Sequence, residues 1–357
     1  MVLFSAALKI ASILILYFSH SFVVPRKDVK PLAHQLLKDR TSVIAFRGGA
    51  LDGKENSESA IRQAIALGAD VIHFDVSVTA DGQLAVIHNT GPQRVYGRKE
   101  TTDQLSLEEL GPYEDLTIGM YGDPVHIENV ENEGTRELSQ LLPLFNEKGN
   151  DRVGIIVSTE IRDVKLLVIM INEFEEADLI DRVAFDILVP KQDVLDHIEY
   201  PVTFTNSSQD AENLVRIYES FFNGTGVEAF RNRDFDIFQT SYNFNQPDEL
   251  IRIKSLSGDP IRDELFAFLQ TREKSVGLMS EVANRDALPV VYGVANQDRD
   301  FAKAIWLGAN AIMTESPASL IALLELHKKR KDRDSREDEE FPRGPGGPRE
   351  SIEDDMP

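Results

Sequence analysis

Two histidines, three carboxylates and two arginines stand within or soon after four apolar runs, VIAFRGG (43–49), VIHFDVSV (71–78), LAVIH (84–88) and VGIIVSTE (153–160). They are His73 and His88, Glu55, Asp75 and Glu160, and Arg47 and Arg162. On an extended strand, residues two apart share a face, so His73 points with Asp75, and Glu160 with Arg162 if that strand continues. Carboxylates and imidazoles meeting at one mouth suit a divalent cation, and an arginine beside them suits an anion. Each residue also has a plainer reading. A lone histidine ending a strand is more often a hydrogen-bonded structural group than a ligand, and this applies to both His73 and His88. Arg47-Gly48-Gly49 reads equally well as a tight turn. Asp75 and Glu160 carry more weight, because a carboxylate ending an apolar strand is costly to bury unless it is paired or metal-bound.

The elements that would bring these residues together are legible as short apolar runs. Besides the four above, VAFDIL (183–188), VTFT (202–205), DIFQTSY (236–242), VVYGV (290–294) and ANAIMTE (309–315) read as strands. Amphipathic segments at 57–67, 164–176, 259–284 and 298–307 read as helices between them. Strands apolar on both faces, separated by helices, indicate a parallel sheet covered by helices. Roughly eight such units predict a TIM (β/α)8 barrel over residues 41–328, with an open doubly wound sheet as the alternative. Residues 90–135 lack periodicity and are expected to form a long loop or insertion beside the site.

The chain ends differ in composition. Residues 2–24 are nearly uncharged, and Arg26, Lys27, Lys30, Lys38 and Arg40 follow them. That pattern predicts a retained membrane anchor within residues 1–25, with a cleaved signal peptide and secretion as the alternative. The sequons at Asn206 and Asn223 point to a lumenal side only if they are used. Residues 329–357 are charged and rich in Pro and Gly, and are expected to be a disordered tail. The net charge of −22 argues against nucleic acid as a partner. Absence of cysteine removes disulfides, zinc–thiolate sites and thiol nucleophiles from consideration.

The stretch VIAFRGGALDGKENSESAIRQAIALGADVIHFDVSVTADGQLAVIHNT resembles the opening of the glycerophosphodiester phosphodiesterases, with their AHRG, PEN-like, E-x-D, T-x-DG and HD motifs. IIVSTEIRD and VVYGVANQDRDFAKAIWLGANAIMTESPASL continue the likeness. The apolar N-terminus is similar to that of the membrane-anchored, lysophospholipase-D-like branch, which implies an endoplasmic reticulum membrane. This resemblance implies a glycerophosphodiester or lysophospholipid headgroup as substrate and a divalent metal (Mg, Ca or Mn) as cofactor. It further implies Asp75 and Glu160 as metal ligands, Arg47 and Glu55 on phosphate and glycerol, Arg162 in place of a lysine, and His88 as acid/base.

Two positions depart from that pattern. Phe46 stands where the family has its first acid/base histidine, and His73 stands in place of a metal-binding carboxylate. Asn89 also replaces an aspartate, a milder change. A phenyl ring moves no proton, and losing one positioned acid/base typically costs about 10²–10⁴-fold in rate. A neutral imidazole suits Mg²⁺ or Ca²⁺ badly, though Mn²⁺ or Zn²⁺ accepts it. Because the first two strands of a barrel are neighbours, His73 is expected near Phe46, where it becomes a candidate to take over the missing proton transfer. The expectation is a phosphodiesterase-like protein of lipid metabolism with impaired hydrolysis, or an inactive headgroup- or protein-binding descendant at a membrane.

Overall fold

The computed structural model describes residues 31–37, 40–113, 116–118, 124–126, 133–205, 235–241, 289–306 and 308–340. The segment 2–24, both sequons, the helix expected at 259–284 and residues 341–357 lie outside the described residues. Among the described residues no helix is long and apolar enough to cross a membrane.

Eight parallel strands carry the fold: β1 (Ser42–Ala45), β2 (Val71–Val78), β3 (Gly154–Thr159), β4 (Val183–Asp186), β5 (Thr203–Phe204), β6 (Phe238–Ser241), β7 (Val290–Gly293) and β8 (Ala311–Thr314). Each pairs with its neighbour in sequence order, and β1 pairs with β8 through Ser42↔Ala311 to Ala45↔Thr314. A parallel bridge between Thr205 and Ile237 joins β5 to β6 and completes the ring. This is the expected barrel rather than the open sheet.

One apolar run plays a different part. LAVIH yields only the two-residue strand Leu84–Ala85, which folds back antiparallel on the end of β2 through Ser77↔Ala85 and Val78↔Leu84. The turn Thr79–Gly82 reverses the chain there, with Gln83 N–H donating to Thr79 Oγ1 at 2.9 Å. Residues 90–135 are also more than a loop. Short helices at Gly91–Val95 and Leu107–Leu110 and a hairpin of Leu116–Ile118 with Pro124–His126 occupy parts of that span. Ile87, Val95, Tyr96, Leu105, Leu110 and Tyr113 bury themselves in a small core of their own. Too few apolar residues recur at one spacing there to announce any single element.

Alternation along the strands sorts side chains into two layers. Ile44, Val71, Ile156, Ala184, Ile237, Val291 and Ala311, from seven sides of the ring, meet in one buried cluster inside the barrel. Helix α1 (Pro31–Leu36) closes that end with Leu32 and Leu36. The approach is close: a Cβ on Gly154 would lie 2.4 Å from Leu32 Cδ1, so any larger residue there would push the Leu32 side chain aside. The intervening residues, such as Ile72, Phe74, Ile155 and Phe185, face outward against α2 (Glu58–Leu67) and α3 (Val164–Glu176). Both helices start on side-chain caps, Ser57 accepting from Ala60 N–H and Asp163 from the Lys165 and Leu166 N–H groups.

The last helix runs Pro317–Glu340, beyond the boundary at 328 expected from composition. Lys, Arg and Glu are good helix formers, and opposite charges four apart support a helix that need bury nothing. The segment 329–340 continues that helix.

Candidate active site

The same alternation that makes the barrel floor apolar makes its mouth polar. One step above Val71 on β2 come His73 and Asp75. One step above Ile156 on β3 comes Ser158, and above Ala184 on β4 comes Asp186. His73 and Asp75 are 2% and 5% exposed, so their partners decide their chemistry.

Beyond β1 the chain turns sharply. Arg47, Gly48 and Gly49 all have positive φ (51°, 77° and 94°), a run that L-residues other than glycine resist. The Arg47 backbone is held there from both sides. Its N–H donates to His73 Nδ1 at 3.2 Å, and its carbonyl accepts from Asn56 N–H at 2.8 Å. The tight turn expected at Arg47-Gly48-Gly49 is present, and it does not exclude a place for Arg47 in the site. The turn swings the Arg47 side chain inward, where Nε lies 3.0 Å from Asp75 Oδ2 and Nη1 lies 3.4 Å from Glu55 Oε2.

Asp75 receives further support from Asn56. Its Oδ2 accepts from Asn56 Nδ2 at 3.0 Å, and its own N–H donates to Asn56 Oδ1 at 3.0 Å. Burial pushes this carboxyl up, but the Arg47 charge and the Asn56 hydrogen bond outweigh it and hold the pKa down at about 2. Glu55 is gripped by a residue the sequence did not single out. Arg94 Nη2 and Nε bond its two oxygens at 2.7 and 2.9 Å, and Arg94 Nη1 bonds Thr90 Oγ1 at 2.8 Å. Two guanidinium groups therefore converge on one buried carboxylate.

The histidines are placed differently. Because Nδ1 of His73 accepts from the Arg47 backbone, its proton sits on Nε2, which meets Ser158 Oγ at 2.9 Å. Ser158 in turn donates weakly to Asp186 Oδ2 at 3.4 Å. The Phe46 ring stacks on the imidazole with centroids 4.5 Å apart, and the Arg47 guanidinium lies 5.0 Å over the same phenyl ring. Burial, aided by the Arg47 charge, drives the His73 pKa down to about 4 despite Asp75 nearby. His88 is more open. Its Nδ1 accepts from Thr90 N–H at 3.2 Å and lies 3.0 Å from Thr90 Oγ1, which leaves Nε2 facing Glu160 Oε1 at 3.9 Å. Partial burial and the Arg47 and Arg94 charges lower its pKa, opposed by Asp75 and Glu160.

Glu160 and Arg162 are both exposed. With Asn89, Asp103, Ile161 and Leu166 they line an open cleft of about 460 Å³ beside His88. Across the mouth, Glu315 is 2% exposed, accepts from Asn296 Nδ2 at 2.7 Å, and adds its charge to those acting on Arg47. It lies in the quoted segment MTESP but no role was assigned to it; a buried carboxylate at the end of the apolar strand AIMT was the available signal.

Residues 47–319 match the glycerophosphoryl diester phosphodiesterase family. This chain belongs to that family. Lysophospholipase D GDPD3 of Mus musculus is 24% identical over 87% of this chain and 87% of its own. Lysophospholipase D GDPD1 of Homo sapiens is 22% identical over 81% and 88%. In fold, it is similar to a glycerophosphoryl diester phosphodiesterase structure from Silicibacter pomeroyi (TM-score 0.56, 16% identity, 82% of this chain and 98% of that one). It is likewise similar to an Oleispira antarctica phosphodiesterase solved in complex with the product sn-glycerol-3-phosphate (TM-score 0.52, 13% identity, 82% and 99%).

The glycerophosphodiester phosphodiesterase pattern implies a divalent ion on residues 73, 75 and 160, and the groups present fit it poorly. Both nitrogens of His73 are engaged by Arg47 N–H and Ser158. Oδ2 of Asp75 is taken by Arg47 and Asn56, and the Glu160 side chain is 53% exposed and turned to His88. Among the described residues, no three His, Cys, Asp or Glu side chains come together closely enough to hold an ion. Mg²⁺ and Ca²⁺ require six or more oxygens, largely from carboxylates and water.

Proposed function

We propose that this family member binds a glycerophosphodiester or lysophospholipid headgroup at the mouth formed by β1, β2 and β3, and hydrolyses it slowly with His88 as its one acid/base. One observation carries this reading: of the two mouth histidines, only His88 has a ring nitrogen, Nε2, directed to the open side. Arg47 and Arg94 supply donors for the phosphate, and Glu55 holds both in place. In the reaction, water attacks phosphorus, the bond to the leaving alcohol breaks, and His88 in its imidazolium form gives that oxygen a proton; the attacking water's proton passes to solvent, from which His88 is reprotonated. Asp75 and Glu160 oppose the lowering of its pKa by burial and by Arg47 and Arg94, and on protonation Nδ1 gives up the Thr90 N–H bond and donates to Thr90 Oγ1. His73 is read as a positioning group that fixes the Arg47 backbone. The sn-glycerol-3-phosphate bound by the Oleispira antarctica protein supports this choice of ligand class.

The second reading, a headgroup-binding protein without turnover, draws its support from Phe46 stacked where the family places its first acid/base. Purified full-length protein, incubated with glycerophosphocholine and with lysophosphatidylcholine, separates the two. Slow choline release that stops in His88→Ala supports hydrolysis, and binding without release supports the second reading. Release undiminished by His88→Ala would remove the assignment to His88. Tethering to endoplasmic reticulum membranes through residues 2–24 belongs to the same proposal. Carbonate-washed membranes should retain the chain, and its appearance in the supernatant would count against the tether.

A further inference from the structure

We propose that the site engages an anionic phosphodiester without a divalent ion, the Arg47 guanidinium serving as its built-in cation. This rests on the headgroup reading above. The Arg47 side chain is 8% exposed and lies within 3.0 Å of Asp75 and 3.4 Å of Glu55, the carboxylates a bound ion or its ligand would otherwise face. Nη1 donates to Glu55, Nε lies against Asp75 without a hydrogen bond of its own, and Nη2 makes no bond to a described residue. Arg94 bonds both oxygens of Glu55 and shares Oε2 with Arg47, so a second guanidinium flanks the first. Planar guanidinium groups match the spacing of phosphate oxygens and stay charged at any physiological pH. The exchange is consistent at both ends. Replacing a carboxylate by His73 removes a negative charge that a metal would have balanced. The neutral imidazole then serves the arginine, since its Nδ1 fixes the Arg47 backbone in a left-handed conformation. An ion seated at Asp75 would have to displace Arg47 from Oδ2 and leave a buried guanidinium with one carboxylate fewer.

The test is calorimetric titration of the full-length protein with sn-glycerol 3-phosphate in EDTA, then in Mg²⁺, Ca²⁺ and Mn²⁺. The expected result is the same Kd in all four buffers, and affinity lower by about tenfold or more in Arg47→Lys, which keeps the charge but loses the planar fork. Metal-induced stabilisation that is absent in the wild-type protein but present in His73→Glu would support the inference further, because that change restores the second carboxylate. Binding to the wild-type protein that tightens by about tenfold or more with metal overturns the inference while leaving the headgroup reading intact. No binding in any buffer defeats both.

Discussion

The two sides of the barrel mouth each carry a histidine, and the sides are built to opposite ends. On the closed side, His73 is 2% exposed, stacked under Phe46, and bonded at both ring nitrogens. On the open side, the His88 side chain is 22% exposed and directs Nε2 toward a carboxylate 3.9 Å away at the lip of a cleft. Both imidazoles have lowered pKa values, and burial is the leading cause in each. A perturbed histidine is therefore not by itself a sign of acid/base work. The difference lies in where the second nitrogen points. On the closed side the imidazole is a spacer that sets a backbone; on the open side it is a group a substrate can touch.

The largest effect that tests this division is kinetic. His88→Ala should reduce choline release by about 10²–10⁴-fold, as expected for loss of a positioned acid/base, whereas His73→Gln should lower it far less. Equal losses in the two variants, with both folded by circular dichroism, would break the comparison. Next comes Arg47. Replacing it with Met leaves Asp75 and Glu55 buried without that charge, and breaking a buried pair in this way costs about 3–5 kcal/mol. Urea denaturation should show the loss with an unchanged m-value. A stability change below 1 kcal/mol would mean that the guanidinium is far less buried in solution.

The third effect depends on pH and belongs to the closed side. His73 has its pKa lowered from 6.5 to about 4, so the folded state resists a proton that the unfolded chain accepts. The stability this brings is fully present above pH 6.5 and is lost as pH falls toward 4, about 3 kcal/mol in all at 1.4 kcal/mol per unit. Asp75, lowered from 3.8 to about 2, adds a further loss as pH falls from about 4 toward 2. In His73→Gln the decline between pH 6.5 and 4 should flatten. A melting curve equally steep in wild type and variant over that window would refute the assignment.

These contrasts also show where sequence reasoning reaches its limit. Most of the ring strands are legible because a strand buried on both faces needs a nearly unbroken apolar run; β6, Phe238–Ser241, is the polar exception. The run at 84–88 met the same criterion for a different reason: it is buried against β2 and the inserted segment, and only the Asp81-Gly82 turn before it signalled a hairpin. In the site, Arg47, Glu55, Asp75 and His88 come together as expected, because each lies at or beside a strand end and the barrel brings those ends to one mouth. Arg162 is exposed and lines the cleft with Glu160. Arg94 and Thr90 were missed because they lie in 90–135, where no periodicity marks an element. Asp186 and Ser158 had a signal that went unused, since each is a polar residue on the inner face of an otherwise apolar strand. The sequence could suggest His73 as a substitute proton shuttle. Only the bonds at Nδ1 and Nε2 argue otherwise, and such bonds are invisible to spacing.

The smallest effects sharpen the comparison most, because they change one hydroxyl on each side. Thr90→Val removes the oxygen that accepts from Arg94 Nη1 at 2.8 Å and lies 3.0 Å from His88 Nδ1, while the Thr90 N–H bond at 3.2 Å to the neutral imidazole survives. The histidine keeps its orientation but loses the acceptor that stabilises the imidazolium. Turnover should therefore fall a few-fold and its pH profile should shift to lower pH, with stability down by about 1 kcal/mol. Ser158→Ala removes the partner of His73 Nε2 at 2.9 Å. It should cost a similar about 1–2 kcal/mol in stability, since a buried donor is left unpaired, and should leave the pH profile of choline release where it was. If Ser158→Ala moved that profile and Thr90→Val did not, proton traffic would run through the closed side, and the roles of the two histidines would have to be exchanged.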